Sequence, residues 1–165
     1  MRPLRMALTT GSLTGLLGLV AWVGGVPALF PSLGPTAYAL ATAPDAPTSQ
    51  PPWVVGGHAI GVIAGLACYH AVGGGAVVTS AFAPLSTTGL RLAASGCLAV
   101  ALTTAGMLAT RYQHPPACAT TLIVALGLLP TLRDGLVVVL AVSLMVGVTT
   151  VLDRAVPASE GRAAA

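Results

Sequence analysis

Residues 6–44 carry no formal charge, and neither do residues 46–90, 92–110, 112–132 or 135–152. An ordinary soluble domain has about a quarter of its residues charged. Here only 7% of 165 residues are charged and 55% are hydrophobic. Such a chain cannot cover a water-facing surface, so its solvent is the bilayer. That excludes a cytosolic enzyme, a secreted disulfide scaffold and a disordered tail. The seven arginines stand singly, at Arg2, Arg5, Arg91, Arg111, Arg133, Arg154 and Arg162, and there is no lysine. A net charge of +3 spread in this way makes no basic patch, so no nucleic-acid partner is expected. Single arginines between apolar runs read instead as membrane-edge anchors. Cys68, Cys97 and Cys118 all lie in apolar or small-residue runs and read as reduced thiols.

A membrane-spanning helix needs about 20 largely apolar residues. Four stretches meet this: Ala7 to about Val26, Val54 to Ala71, Arg91 to about Thr110, and Gly135 to Leu152. Two leftover segments, 30–43 and 114–129, are shorter and are entered and left through proline. Proline suits a first helical turn, where its missing N–H had no partner anyway. Segments of about 12–15 residues at ~1.5 Å each cannot cross a core ~30 Å thick. They read as half-helices, at about 35–43 and 116–129, with their starts turned into the protein. The expected fold is an all-α membrane bundle of four long helices plus two proline-led half-helices. The order span, short helix, span occurs twice, over 7–71 and 91–152, which suggests an internal repeat. Arginines at both ends place both termini on the cytoplasmic side and make the number of crossings even. Arg91 favours four crossings and Arg111 favours six.

The apolar N-terminal stretch is longer than a signal-peptide core, and Val26-Pro27-Ala28 is a poor cleavage site, so the segment is read as retained. A single transmembrane domain over 1–156 is expected, with a disordered tail at 157–165. Residues 44–52, rich in proline, read as a solvent-facing extended connector ahead of Trp53, an interfacial aromatic. The small-residue stretch 72–90 reads as a connector on the bundle.

Polar residues inside such a sequence are few and therefore informative. The densest group is His114-Pro115-Pro116-Ala117-Cys118, followed by Thr120 and Thr121. Here His114 is held extended just before a helix whose first N–H groups, from about Ala117 to Thr120, lack helical partners. Those donors, the positive helix end and the hydroxyls suit a small anion. Ser32, Gly34, Pro35 and Thr36 mark a similar start, with two possible caps and a glycine that admits close approach. Gly56 and Gly57 precede His58 and allow close helix contact. Each feature also has an ordinary structural explanation: a helix start, a helix contact, an interfacial histidine.

A metal centre would need better ligand spacing than His58, His114 and Cys118 offer, and no carboxylate lies inside a span. No metal and no cofactor are expected. Asp134 beside Arg133 and Asp153 beside Arg154 read as boundary ion pairs. No nucleophile elbow, phosphate loop or dinucleotide fingerprint occurs, so no enzyme is expected.

Several of these motifs, in order, resemble those of the HPP family of small integral membrane proteins. Ser32-Leu33-Gly34-Pro35-Thr36 comes first, then Ser49-Gln50-Pro51 leading into Gly56-Gly57-His58, then His114-Pro115-Pro116-Ala117 with threonines after it. The correspondence runs over about residues 28–152. Cys118 stands where the family usually has glycine, and Pro35-Thr36 where it usually has Ala-Ser. The resemblance implies a four-span protein, and some plant and cyanobacterial members are regarded as nitrite transporters. Residues and resemblance together lead to an expected multi-pass cell-membrane protein that transports a small inorganic anion. The alternative is a non-transporting scaffold binding a partner protein or lipid. Gly11-x-x-x-Gly15 and Gly57-x-x-x-Gly61 further suggest a homodimer.

Overall fold

A computed structural model describes residues 2–155; the tail expected at 157–165 lies outside them. The described residues form six α-helices and no strand: α1 (Arg2–Gly24), α2 (Leu33–Thr42), α3 (Pro51–Cys68), α4 (Thr87–Thr110), α5 (Ala117–Ala125) and α6 (Leu132–Ala155). One 3-10 turn (Pro47–Ser49) leads into α3, and a π turn (Tyr69–Gly73) extends its end. Four helices are long and apolar enough to cross a membrane, at Pro3–Gly24, Pro51–Gly73, Thr87–Thr110 and Leu132–Leu152. The protein is thus a multi-pass membrane protein.

Starts and stops follow local chemistry. Pro51 and Pro52 open α3, where a missing N–H costs nothing. The Ser86 hydroxyl caps α4 by accepting from the Gly89 amide at 3.2 Å. The second short helix ends at Ala125, four residues before the expected boundary. Gly127 stops it, in a left-handed conformation at φ +79°. The Gly127 amide bonds the Val124 carbonyl and the Leu128 amide reaches back to Ile123, each at 3.0 Å. This pairing of two amides with earlier carbonyls is the usual glycine-terminated helix end.

Helix α3 is the axis of the bundle, packing on α4, α5 and α6, while α2 lies on α1. Its glycines make this possible. A Cβ on Gly61 would stand 2.9 Å from the Ala117 carbonyl, and one on Gly65 would stand 2.8 Å from Val124. Helix α5 therefore lies directly on the backbone of α3. This corrects one expectation: Gly57-x-x-x-Gly61 is filled from within the chain and does not await a second copy. The main apolar core joins Leu13 and Leu17 of α1, Leu33 and Ala37 of α2, Val54 and Val62 of α3, and Val138, Val142 and Met145 of α6.

Contacts at the two ends fix the helix directions. At one end, Leu4 and Arg5 of α1 share a groove with Leu152 of α6. There too, Trp53 at the start of α3 shares a cavity with Leu108 and Arg111 at the end of α4. At the other end, the Arg91 side chain donates to the Val72 carbonyl at 3.1 Å. His70 lies 3.1 Å from the carbonyl of Pro130, just before α6. The Val78 amide, in the mostly exposed loop before α4, donates to Leu126 at the end of α5 at 3.0 Å. Early in α6, Gly135 lies against Val62 and Leu66 in the second half of α3. Consecutive helices therefore alternate in direction all the way along the chain. The chain thus runs along the bundle six times, four of the runs on helices long enough to cross a membrane, with both ends of the described chain at one end of the bundle. Helices α2 and α5, 10 and 9 residues long, cover only ~15 Å each of a ~30 Å core. Residues 25–32 and 111–115 extend those two runs in backbone outside any α-helix, which membrane depth tolerates where protein surrounds it.

Candidate functional site

The two interrupted runs meet α3 at one place. Ser32 and Thr36 come from the start of α2, His58 from α3, His114 from the segment before α5, and Thr120 from α5. None of these five side chains is exposed (0% each). The glycines of α3 create the room. A Cβ on Gly57 would lie 2.8 Å from the His114 Cβ, and one on Gly56 would lie 2.7 Å from the Tyr112 ring. The segment 112–114 therefore rests against bare backbone, and the His114 ring enters the bundle beside His58. Their ring centroids are 5.2 Å apart.

The five side chains are joined end to end. The Ser32 and Thr120 hydroxyls are 2.7 Å apart. Thr120 Oγ1 is 2.7 Å from His58 Nδ1. His58 Nε2 is 3.0 Å from Thr36 Oγ1, which is 3.2 Å from His114 Nε2. His114 Nδ1 then donates to the Thr48 carbonyl at 2.7 Å. Thr36 Oγ1 also lies 3.1 Å from the Ser32 carbonyl. No buried side-chain nitrogen or oxygen among the described residues lacks a partner.

Sequence reasoning gathered most of this cluster but erred on how it is held. The α5 amides expected to be free are not. Those of Ala117, Cys118 and Ala119 donate to the carbonyls of His114, Pro115 and Pro116 at 2.9–3.1 Å. Pro116 is already helical, at φ −57° and ψ −21°, so a tight turn precedes the helix and absorbs the donors. Ser32 makes no side-chain cap on α2; its hydroxyl faces Thr120. Gly34 is partly exposed, and a Cβ there would meet nothing within 4 Å. Pro35 and Pro115 are exposed, and Pro116 and Cys118 half-buried. Thr121 turns away from the histidines, 2.8 Å from Thr103 and 3.1 Å from the Ala117 carbonyl.

Two participants were missed. Thr103 is buried on α4, and its sequence signal was only a hydroxyl within a span. Thr48 sits in the proline-rich connector, which is not the extended solvent-facing link expected. The 3-10 turn folds this connector onto the cluster and buries Ser49. Since Thr48 contributes a backbone carbonyl, no side-chain pattern could have announced it. Beside that turn is a cavity of about 410 Å³, lined by Pro47, Thr48, Trp53, Leu108, Arg111 and Gln113.

Against known families, the chain matches the HPP transmembrane region over residues 3–161. It belongs to that family and is an integral membrane protein. Among curated proteins and among solved structures, none matches.

Proposed function

Starting from that family membership, we propose that the protein transports a small monovalent anion, nitrite-like as the resemblance implies, with the His58–His114 cluster as its transit site. One observation carries this reading. Two histidines and three hydroxyls are brought together at the junction of two interrupted runs, inside a bundle with few other buried polar groups. Polar groups at membrane depth are expensive and tend to mark transport paths. Interrupted helices meeting near the middle are the usual architecture of such a site. The cavity with Arg111 and Gln113 lies one residue, Thr48, away from His114, and its cation suits an anion approaching from that side. Arg5 and Arg111 lie at this end, as does the α6 terminus with Arg154, so the arginine bias makes it cytoplasmic.

The second reading is the scaffold, and it also has an observation in its favour. The cluster is closed to solvent and its polar atoms are all paired, as in a purely structural network. Transport then requires a further conformation in which the same groups meet water and the anion. Membership of a homodimer stays part of the proposal on α1 alone, where Gly11 and Gly15 have nothing within 4 Å. We read the protein as a transporter and not an enzyme.

Liposomes containing the purified protein test this with nitrite, nitrate and chloride. Flux of at least one anion above empty liposomes, reduced in His114→Ala and His58→Ala, is expected. Flux no greater than empty liposomes for all three would put the scaffold ahead. Wild-type flux retained in His114→Ala would leave transport standing and discard this site.

A further inference from the structure

The hydrogen-bond chain contains a strict directional argument. The Thr48 carbonyl can only accept, so the proton of neutral His114 is on Nδ1. His114 Nε2 is then bare, and the nearby hydrogen that can serve it belongs to Thr36 Oγ1, for which the Ser32 carbonyl at 3.1 Å is the competing acceptor. Whichever of these two acceptors takes it, the single Thr36 proton is not available to His58, so His58 Nε2 is the donor to Thr36. That leaves His58 Nδ1 as an acceptor, served by Thr120, whose oxygen in turn accepts from Ser32. One backbone carbonyl thus sets both histidine tautomers and the sense of every bond back to Ser32.

Thr36 has one more neighbour. The Ser32 carbonyl lies 3.1 Å from its hydroxyl, and a helix-capping carbonyl can accept a second bond beside its helical one. If Nε2 of His114 gains a proton, it becomes a donor and Thr36 Oγ1 its acceptor. The Thr36 hydrogen, still bound to its own oxygen, turns to the Ser32 carbonyl. Thr36 then accepts from both histidines and donates once. Neither arrangement leaves a buried polar atom unpaired.

We propose that the cluster is a binding site for one proton, taken at His114 Nε2 and accommodated by rotation of the Thr36 hydroxyl from that nitrogen to the Ser32 carbonyl. Hydronium gives up one O–H bond and departs as water while His114 Nε2 gains one N–H bond; no other covalent bond in the cluster changes. His58 does not take a second proton, because Thr120 serves its only free nitrogen and the two rings are 5.2 Å apart. The other titratable or charged groups on the surrounding elements are Arg111 and Tyr112 in the same segment, Cys118 on α5, Tyr38 on α2, Asp45 ahead of Thr48, Cys68 at the far end of α3, and Arg91 and Cys97 in the far half of α4. Helix α4 presents Met107, whose sulfur accepts from the His114 amide at 3.5 Å. Among the described residues, the cluster's hydrogen-bond partners include no carboxylate. An anion bound beside His114 would supply the counter-charge, so proton and anion would move together. That last step rests on the transport reading; the proton site does not.

Full-length protein with ¹⁵N-labelled histidine, in bilayers and in a His70→Asn background, reports the tautomers directly by NMR. At neutral to alkaline pH, one ring should carry its proton on Nδ1 and the other on Nε2. Acidification should produce one imidazolium per chain. Thr36→Val, which cannot exchange partners, should lower the midpoint by about one pH unit or more, a tenfold loss of proton affinity; Thr36→Ser should retain it. Two rings of the same tautomer, two imidazoliums forming together, or an unchanged midpoint in Thr36→Val would overturn the proton site. In liposomes, one proton entering per anion is expected. Anion flux without proton movement would overturn the coupling and leave transport intact. Absence of flux with the NMR pattern present would remove transport and leave the proton site.

Discussion

At the scale of single residues, glycine positions separate a packed face from an open one. A Cβ at Gly61 would press on the Ala117 backbone carbonyl and the Thr121 hydroxyl, at 2.9 and 2.8 Å. Backbone cannot move aside as a side chain can, so Gly61→Ala should cost about 1–3 kcal/mol. A Cβ at Gly147 would meet nothing within 4 Å, and alanine there should change stability by no more than about 0.5 kcal/mol. Thermal unfolding in mild detergent compares the two directly, and similar melting points would refute the close seating of α5 on α3. His114 supplies the pH prediction. Its Nε2 is the proton site proposed above, and a bound anion favours the proton there. Anion uptake should therefore rise towards acid pH, and His114→Ala should flatten the profile and lower uptake about tenfold or more. A wild-type profile flat between pH 8 and 5.5 would dismiss the charge from the mechanism.

At the scale of elements, the long helices were legible because charge-free runs of spanning length leave little choice. The short ones were legible because proline marks their starts. Their ends and their role were harder to read. Gly127 stops α5 through a left-handed conformation and a close approach to the Ala76 carbonyl and the Tyr69 ring; nothing local distinguishes it from the other glycines. Gly127→Ala would combine backbone strain with a steric conflict, and a loss of about 1–3 kcal/mol is expected, read as a lower melting temperature. Helical amides that should have been free at α5 were taken by the preceding turn, an outcome set by the helical backbone angles of Pro116 and not by its identity alone. Thr48 was illegible for a different reason: its backbone carbonyl does the bonding, and distant packing brings it to His114. Sequence could thus nominate Ser32, Thr36, His58, His114 and Thr120, but not the chain of bonds that orders them.

For the whole molecule, the decisive question is whether α2 and α5 turn back or go through. Had they been re-entrant, the four long helices would alternate among themselves, and α6 would start on the side where α4 ends. The contacts say otherwise. Pro130, just before α6, is held by His70 at the end of α3, and Leu126 is held by Val78 in the loop between α3 and α4. The start of α6 is thus on the side opposite Arg111. Single cysteines in a background lacking Cys68, Cys97 and Cys118 test this, using Asp45→Cys, Ser80→Cys, Arg111→Cys and Thr131→Cys. With a membrane-impermeant maleimide applied to one side of sealed vesicles, positions 80 and 131 should label together. Positions 45 and 111 should label together from the other side, which the arginine bias makes cytoplasmic. Labelling of position 131 with position 111 would mean that α5 turns back within the bilayer. His114 would then lie in a re-entrant loop open to one side only, and a path through the cluster between the two faces would be lost.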